Sequence, residues 1–303
     1  MSSIKSRNVS REDQNAIVGG VLYLVATPIG NLSDISERAL KVMREVDFIA
    51  AEDTRNTGRL LAYFNISKPM VSYFEHNKKE RGEMIAERLL NGESCALLTD
   101  AGTPAISDPG EDLVRLCAEK NITVTAIPGC CAVVNALALS ALSTQRFCFE
   151  GFLSTNKGER YARLEEIKND RRTTIFYEAP HKLKKTLEDI YKVLGDRRLS
   201  LCRELTKINE EVLRTTVKGA MEYYEANEPR GEYVLVLEGA SDDEISKDSF
   251  FANMTLTEHF EYYISQGMSK MDAIKQVARD RGVPKNEIYM YFVKESKLLY
   301  HMF

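Results

Sequence analysis

A chain of 303 residues, 44% hydrophobic and 28% charged, is long enough for two domains and has the composition of a soluble globular protein. Its formal net charge of −4 excludes nucleic-acid binding through the overall field and confines any such contact to a local patch. The six cysteines (Cys95, Cys117, Cys130, Cys131, Cys148, Cys202) form no C-x-x-C pair and have no accompanying histidine spacing, which excludes a zinc site and predicts buried thiols in a reducing compartment.

Residues 1–19 are polar and aperiodic, and read as a disordered leader without the apolar core of a signal peptide. The run Val21 to Ala26 predicts a buried parallel strand, followed by the special turn Thr27-Pro28-Ile29-Gly30-Asn31-Leu32. Ser33 or Asp34 can cap the next helix, whose apolar positions are Ile35, Ala39, Val42, Met43 and Val46. Short strands recur at Phe48 to Ala50, Met70 to Tyr73, Cys95 to Thr99 and Ile122 to Ile127, with amphipathic helices between them. This alternation predicts a mostly parallel sheet in a first domain, 20–130.

The most informative loop, Asp100-Ala101-Gly102-Thr103-Pro104-Ala105-Ile106-Ser107-Asp108-Pro109-Gly110, follows the apolar run Ala96-Leu97-Leu98. A loop at the carboxyl end of a parallel strand stands at the rim where ligands bind. Its glycines allow close backbone approach, its prolines pre-set φ, and Asp108 before Pro109 also reads as a plain helix cap. No phosphate-cradling Lys-Ser/Thr pair and no Gly-x-Gly-x-x-Gly occurs, so a ligand without phosphates fits better. Gly-x-Ser-x-Gly and His-Glu-x-x-His are absent too, which argues against a serine or metal hydrolase.

A third turn, Pro128-Gly129-Cys130-Cys131, opens a helix so apolar (Ala132 to Leu139) that burial on most sides is expected. The backbone N–H groups at its start suit a carboxylate. The longest apolar stretch, 132 to 142, is too short to span a bilayer. A second α/β domain, 131–240, is expected from strands at 147–152, 173–177 and 199–202, with 211–217 and 232–238 continuing antiparallel. An acidic linker, 241–253, precedes a helical, helix-turn-helix-like segment, 254–303. Between Gly267 and Leu298 seven Lys/Arg stand against four acids, a surplus that permits phosphate contacts and equally suits a small packing bundle.

Taken in order, Thr27 to Leu32, Glu52-Asp53-Thr54-Arg55, Phe74-Glu75-His76-Asn77, Asp100 to Pro104, Pro128-Gly129, Tyr177-Glu178-Ala179-Pro180-His181 and Arg203-Glu204-Leu205-Thr206-Lys207 resemble the tetrapyrrole methylase superfamily. Within it they resemble the ribosomal RNA small subunit methyltransferase I family. The resemblance spans residues 21 to 239 and extends to the helical segment. Vicinal cysteines stand where the wider superfamily usually has small residues such as serine.

The resemblance implies two α/β domains with a cofactor cleft between them and a small C-terminal helical domain. It implies S-adenosylmethionine in that cleft, lined by Pro28, Gly30, Asp100, Gly102, Thr103, Ile106, Gly129, Cys130, Cys131 and Ala132, with Phe152 and Gly231 from the second domain. The implied reaction is 2′-O-methylation of a cytidine ribose in the decoding region of 16S rRNA, performed without a metal by a cytoplasmic homodimer. Its partner would be the small ribosomal subunit. A ribose hydroxyl must lose its proton, and candidate bases at strand ends are Glu52, Asp53, Glu178 and His181. Arg55, Lys157, Arg203, Lys207, Lys270 and Lys285 are the candidate RNA contacts. Glu178, Arg203 and Glu204 also read as members of ion pairs. Rival readings are a tetrapyrrole or other methyltransferase of the same fold, and a non-catalytic RNA-binding or assembly module.

Overall fold

A computed structural model describes residues 15–242, 244, 251 and 253–300, the last eight as backbone alone. The expected leader and linker fall largely outside these residues. Residues 15–19 are placed against the first domain: the Val18 N–H donates to the Tyr23 hydroxyl at 2.8 Å, and Ile17 packs on the core.

Continuous apolar runs form β1 (Val21–Val25), β2 (Phe48–Ala51) and β4 (Cys95–Leu98), while the edge strands β3 (Met70–Ser72) and β5 (Thr123–Ile127) mix apolar residues with Ser or Thr and are partly exposed. They pair in parallel in the order β3-β2-β4-β1-β5. Alternate side chains of one strand face opposite layers. Tyr23 and Val25 pack with α1 (Glu37–Glu45) and α2 (Thr54–Tyr63), while Leu22 packs with α3 (Lys78–Leu90) and α4 (Gly110–Glu119). The carboxyl ends of the neighbours β1 and β4 therefore open side by side at one rim. One cap differs from expectation: α1 is capped by Ser36, whose hydroxyl accepts the Ala39 N–H at 3.1 Å. Asn31 instead caps a short 3-10 turn, Leu32–Asp34, that occupies the residues expected to start the helix.

The second sheet runs β6 (Phe147–Phe152), β7 (Thr173–Glu178), β10 (Tyr233–Leu237), β8 (Arg198–Arg203), β9 (Glu211–Thr216) in spatial order, parallel at β6/β7 and antiparallel elsewhere. Helices α6 (Lys157–Ile167), α7 (Pro180–Leu194) and α8 (Val217–Ala226) bury their apolar stripes on one face. Helix α5 (Ala132–Leu139) packs on the other face through Val133, Ala136 and Leu137. Burial on most sides of α5 is not what the structure has: Val134 is 56% exposed and Leu139 37%, because the sheet covers one face of the helix alone.

Arg160 on α6 donates to the fully buried Asp189 of α7 at 2.9 and 2.7 Å and to the Ser154 carbonyl at 2.8 Å. It thereby ties the loop after β6 to two helices. Three further helices follow: Leu256–Ser265, Lys270–Asp280 and Lys285–Tyr300. Ile274, Val277, Ala278 and Ile288 form their core. The first begins with a capping box between Thr255 and Glu258. Among the described residues no helix is long and apolar enough to cross a membrane.

Candidate active site

The loops leaving β1 and β4 are joined backbone to backbone. The Thr27 N–H donates to the Gly102 carbonyl at 2.9 Å and the Gly102 N–H returns a bond at 3.0 Å, while the Thr27 hydroxyl donates to the Thr99 carbonyl. Gly102 has φ +86°, and Ala105 and Ser107 also adopt left-handed conformations that cost a side-chain-bearing residue energy. Asp108 offsets that cost by accepting the Ala105 and Gly110 N–H groups at 3.0 and 2.7 Å. The Thr103 hydroxyl donates to the Cys130 carbonyl at 3.0 Å, fastening this loop to the turn before α5. Helix α5 starts after Cys131 without a side-chain cap, so its first turn presents backbone donors and the positive end of its dipole.

These loops form one wall of a cleft of about 610 Å³; the carboxyl end of β7, the start of α5 and the loop after β8 form the other. That volume is typical of small-molecule sites. Ile106 on the first wall and Phe152 on the second remain 48% and 57% exposed, leaving two large apolar surfaces facing the same space. Tyr177 stands behind Phe152 with ring centroids 5.5 Å apart, and burial pushes its phenol up to about 12.

Polar groups are arranged around this apolar centre. Asp100 accepts the Asn56 amide at 3.1 Å, and Glu52 accepts the Thr99 hydroxyl at 2.7 Å through Oε2. Lys207 donates to Glu204 at 2.8 Å and to Glu232 at 2.9 Å. The bond from Lys207 holds the Glu204 carboxyl below its usual range. Burial works against the Lys207 ammonium, but its bonds to Glu204 and Glu232 outweigh this and raise it. Among the described residues lining the cleft, Lys207 is the one lysine or arginine, against the carboxylates of Glu52, Asp100, Asp108, Glu178, Glu204 and Glu232.

Of the expected cofactor residues, Asp100, Gly102, Thr103, Ile106, Cys131, Ala132 and Phe152 line this cleft. Pro28 and Gly30 border a separate, adjoining groove. Gly129 and Gly231 act from behind the lining: a Cβ on Gly129 would lie 2.9 Å from the Ala26 Cβ, and one on Gly231 2.4 Å from the Glu204 Cγ. Cys130 turns its thiol toward the Asp34 carbonyl at 3.4 Å.

The expected bases separate by their partners. Asp53 caps α2 and grips Arg55 at 2.8 Å, outside the cleft lining. Glu178 is buried, with Oε1 accepting the Ala179 N–H at 2.8 Å and Oε2 the Thr186 hydroxyl at 2.5 Å, so one oxygen holds the N-cap of α7 and the other a side chain from its second turn. Glu52 and the exposed His181 line the cleft from opposite walls, and among the described residues Glu52 Oε1 has no hydrogen-bond donor. Arg203 pairs with Glu211 at 2.9 Å, and Lys157 lies over the Tyr161 ring at 5.4 Å. Lys270 and Lys285 are exposed at the starts of the last two helices. Thr99, Tyr177 and Glu232 were not anticipated. Tyr177 belongs to a quoted motif and could have been read from it, whereas Glu232 reaches Lys207 through the pairing of β10 with β8.

The family model described as Tetrapyrrole (Corrin/Porphyrin) Methylases matches residues 21–220. The chain is 47% identical to a ribosomal RNA small subunit methyltransferase I of Halalkalibacterium halodurans, covering 91% of this chain and 96% of that one. It is 44% identical to the protein of that name from Bacillus subtilis, covering 91% and 95%. Among solved structures, uroporphyrin-III-C-methyltransferase from Thermus thermophilus superposes with TM-score 0.52 at 17% identity, over 72% of this chain and 94% of that one. That last likeness concerns the fold alone. With two α/β domains closing on one cleft and relatives matched over nine-tenths of its length, the chain belongs to the tetrapyrrole methylases and, among them, to the ribosomal RNA small subunit methyltransferase I family.

Proposed function

We propose that this protein methylates the ribose 2′-hydroxyl of a cytidine in the decoding region of 16S rRNA, using S-adenosylmethionine. The observation that carries the reading is the cleft in which the uncapped start of α5, the Asp100 carboxylate and an apolar centre converge. Those are the complements of an amino-acid carboxylate, of ribose hydroxyls or an ammonium, and of an adenine. Asp100, Thr103, Ile106 and Ala132 would hold the cofactor, which supplies a methyl group on a sulfonium when bound.

Transfer to an alcohol disperses existing charge, so the protein's tasks are alignment and exclusion of water. Ile106 and Phe152 would exclude water from the two sides. Glu52 would take the ribose proton on Oε1, with the Thr99 hydroxyl holding Oε2 in place. Glu178 would hold the second wall through α7 without moving a proton. A tetrapyrrole acceptor calls for arginines facing its propionates, and among the described residues none lines the cleft. We place the reaction in the cytoplasm and assign it to a homodimer; the uncovered apolar side chains Val134 and Leu139 on α5 support a second copy there.

The test is methyl transfer from labelled S-adenosylmethionine to small ribosomal subunits from a strain lacking the corresponding methylation, followed by nucleoside analysis. Label in 2′-O-methylcytidine is expected. Cofactor binding without label in RNA would refute the reading.

A further inference from the structure

Next to the cleft lies a second groove of about 340 Å³, between the turn after β1 and helix α2. It shares Thr99 and Asp100 with the cleft and is otherwise bordered mainly by Pro28, Leu32, Asn56, Arg59, Leu60 and Tyr63. Along α2 the groove is bordered by Asn56, Thr57, Arg59, Leu60 and Tyr63; positions 56, 59, 60 and 63 recur at helical spacing on one face, and Arg55 lies outside the lining. Arg55 is held by Asp53, whereas Arg59 has no carboxylate within 4.0 Å among the described residues. Tyr63 is 63% exposed and meets Phe64 edge to face at 4.9 Å and 87°, which leaves ring surface open to stacking. The groove thus offers a flat aromatic surface, apolar flanks and a free guanidinium beside the place where the acceptor must enter.

We infer that this groove binds a nucleotide of single-stranded RNA adjacent to the one being methylated, with its base on Tyr63 and its phosphate on Arg59. The inference rests on the methylation reading above and reassigns Pro28 and Gly30 from the cofactor to the acceptor. A protein of net charge −4 gains little from long-range attraction to RNA, so a stacking platform with a local cation is the form such a contact must take. Asp100 lies at the inner end of the groove and Arg59 lies farther along α2, so a phosphate is favoured at the arginine and repelled from the cleft side.

The full-length protein is tested against unmethylated small ribosomal subunits, with binding measured over a range of salt and S-adenosylmethionine binding measured in parallel. Tyr63→Ala is expected to weaken subunit binding about tenfold at every salt concentration, and Tyr63→Phe to restore it. Arg59→Gln is expected to weaken binding and to flatten the log–log salt dependence by roughly 0.7, the contribution of one phosphate contact on a single strand. Cofactor binding should remain unchanged in all three. Wild-type subunit affinity in both Tyr63→Ala and Arg59→Gln would overturn the inference, and loss of cofactor binding would assign the groove to the cofactor instead. A wild-type protein that transfers no methyl to RNA would overturn the methylation reading itself, before any variant is compared.

Discussion

Gly30→Ala tests whether the two domains must be held at a fixed separation. A Cβ at position 30 would lie 2.4 Å from the Lys207 Cγ, 3.0 Å from the Thr206 Oγ1 and 3.2 Å from the Leu205 carbonyl oxygen. Carbon–carbon contact is comfortable from about 3.5 Å, so the stem of Lys207 must retreat by about 1 Å. All three atoms belong to one loop of the second domain, and one of them is backbone, so the loop shifts as a body. Lys207 then loses its bonds to Glu204 and Glu232, and Leu205 moves in the cleft lining. Strain of this kind costs about 1–3 kcal/mol, while a 1 Å misplacement around reacting groups can cost on the order of 10²-fold in rate. The expected result is a fall of about 10- to 100-fold in kcat/KM for methyl transfer with a melting temperature lowered by only a few degrees. Lys207→Ala in the same chain removes the atom the new methyl meets. A double-mutant cycle should therefore show a favourable coupling of about 1 kcal/mol. Wild-type activity in Gly30→Ala, or strict additivity in the cycle, would refute the wedge argument.

Other substitutions separate structural carboxylates from chemical ones. Asp189→Ala strands the buried Arg160 guanidinium and is expected to cost about 3–5 kcal/mol in denaturant unfolding, with the pair Arg160→Met and Asp189→Leu recovering most of it. Glu52→Gln should lower kcat at least about 100-fold without changing S-adenosylmethionine affinity, whereas Glu178→Gln should act mainly on the melting temperature. Equal effects of the two on kcat would remove Glu52 from its role. His259 is fully buried, stacked on Phe251, and bonded to Asp280 and Arg281; burial and then the Arg281 charge hold its imidazole below the ordinary 6.5, with Asp280 opposing. Because the unfolded chain takes up a proton that the folded one refuses, stability is full above pH 6.5 and is lost as pH falls below it. A melting temperature that drops in acid for the wild type, with a flatter profile for His259→Leu, is the expected outcome.

The sheets were legible because buried strands such as Val21–Val25 and Tyr233–Leu237 are unbroken apolar runs bounded by turn residues. Helix α5 shows the limit: its residues are apolar all round except Asn135, and composition alone does not say that the side chains of Val134 and Leu139 remain partly exposed. At the site, Glu52 and Glu178 look alike in sequence, each a carboxylate at the end of a strand. They differ in structure because Ala179 caps α7 directly after Glu178 and donates its N–H to that carboxylate, and Thr186 lies on the facing side of that helix. Asp53 likewise has the position of a catalytic acid and the hydrogen bonds of a helix cap. The spacing of Asn56, Arg59, Leu60 and Tyr63 is visible in the sequence, but such a stripe ordinarily marks a solvated helix face. Its meaning depends on the turn after β1, which is remote in sequence and borders the same groove.

Both walls of the cleft carry side-chain-bearing residues in left-handed conformations, Ala105 and Ser107 on one and Glu204 and Thr206 on the other. Such backbones persist where their surroundings over-determine them, here through Asp108 and the Thr27–Gly102 pair on the first wall and Lys207 on the second. Walls of this kind stand ready before a small molecule arrives, and entry does not wait for a lid to fold. In stopped-flow mixing, the observed rate of cofactor association should rise linearly with concentration without reaching a plateau. Release of the demethylated product between Ile106 and Phe152 would likewise wait for no lid to open.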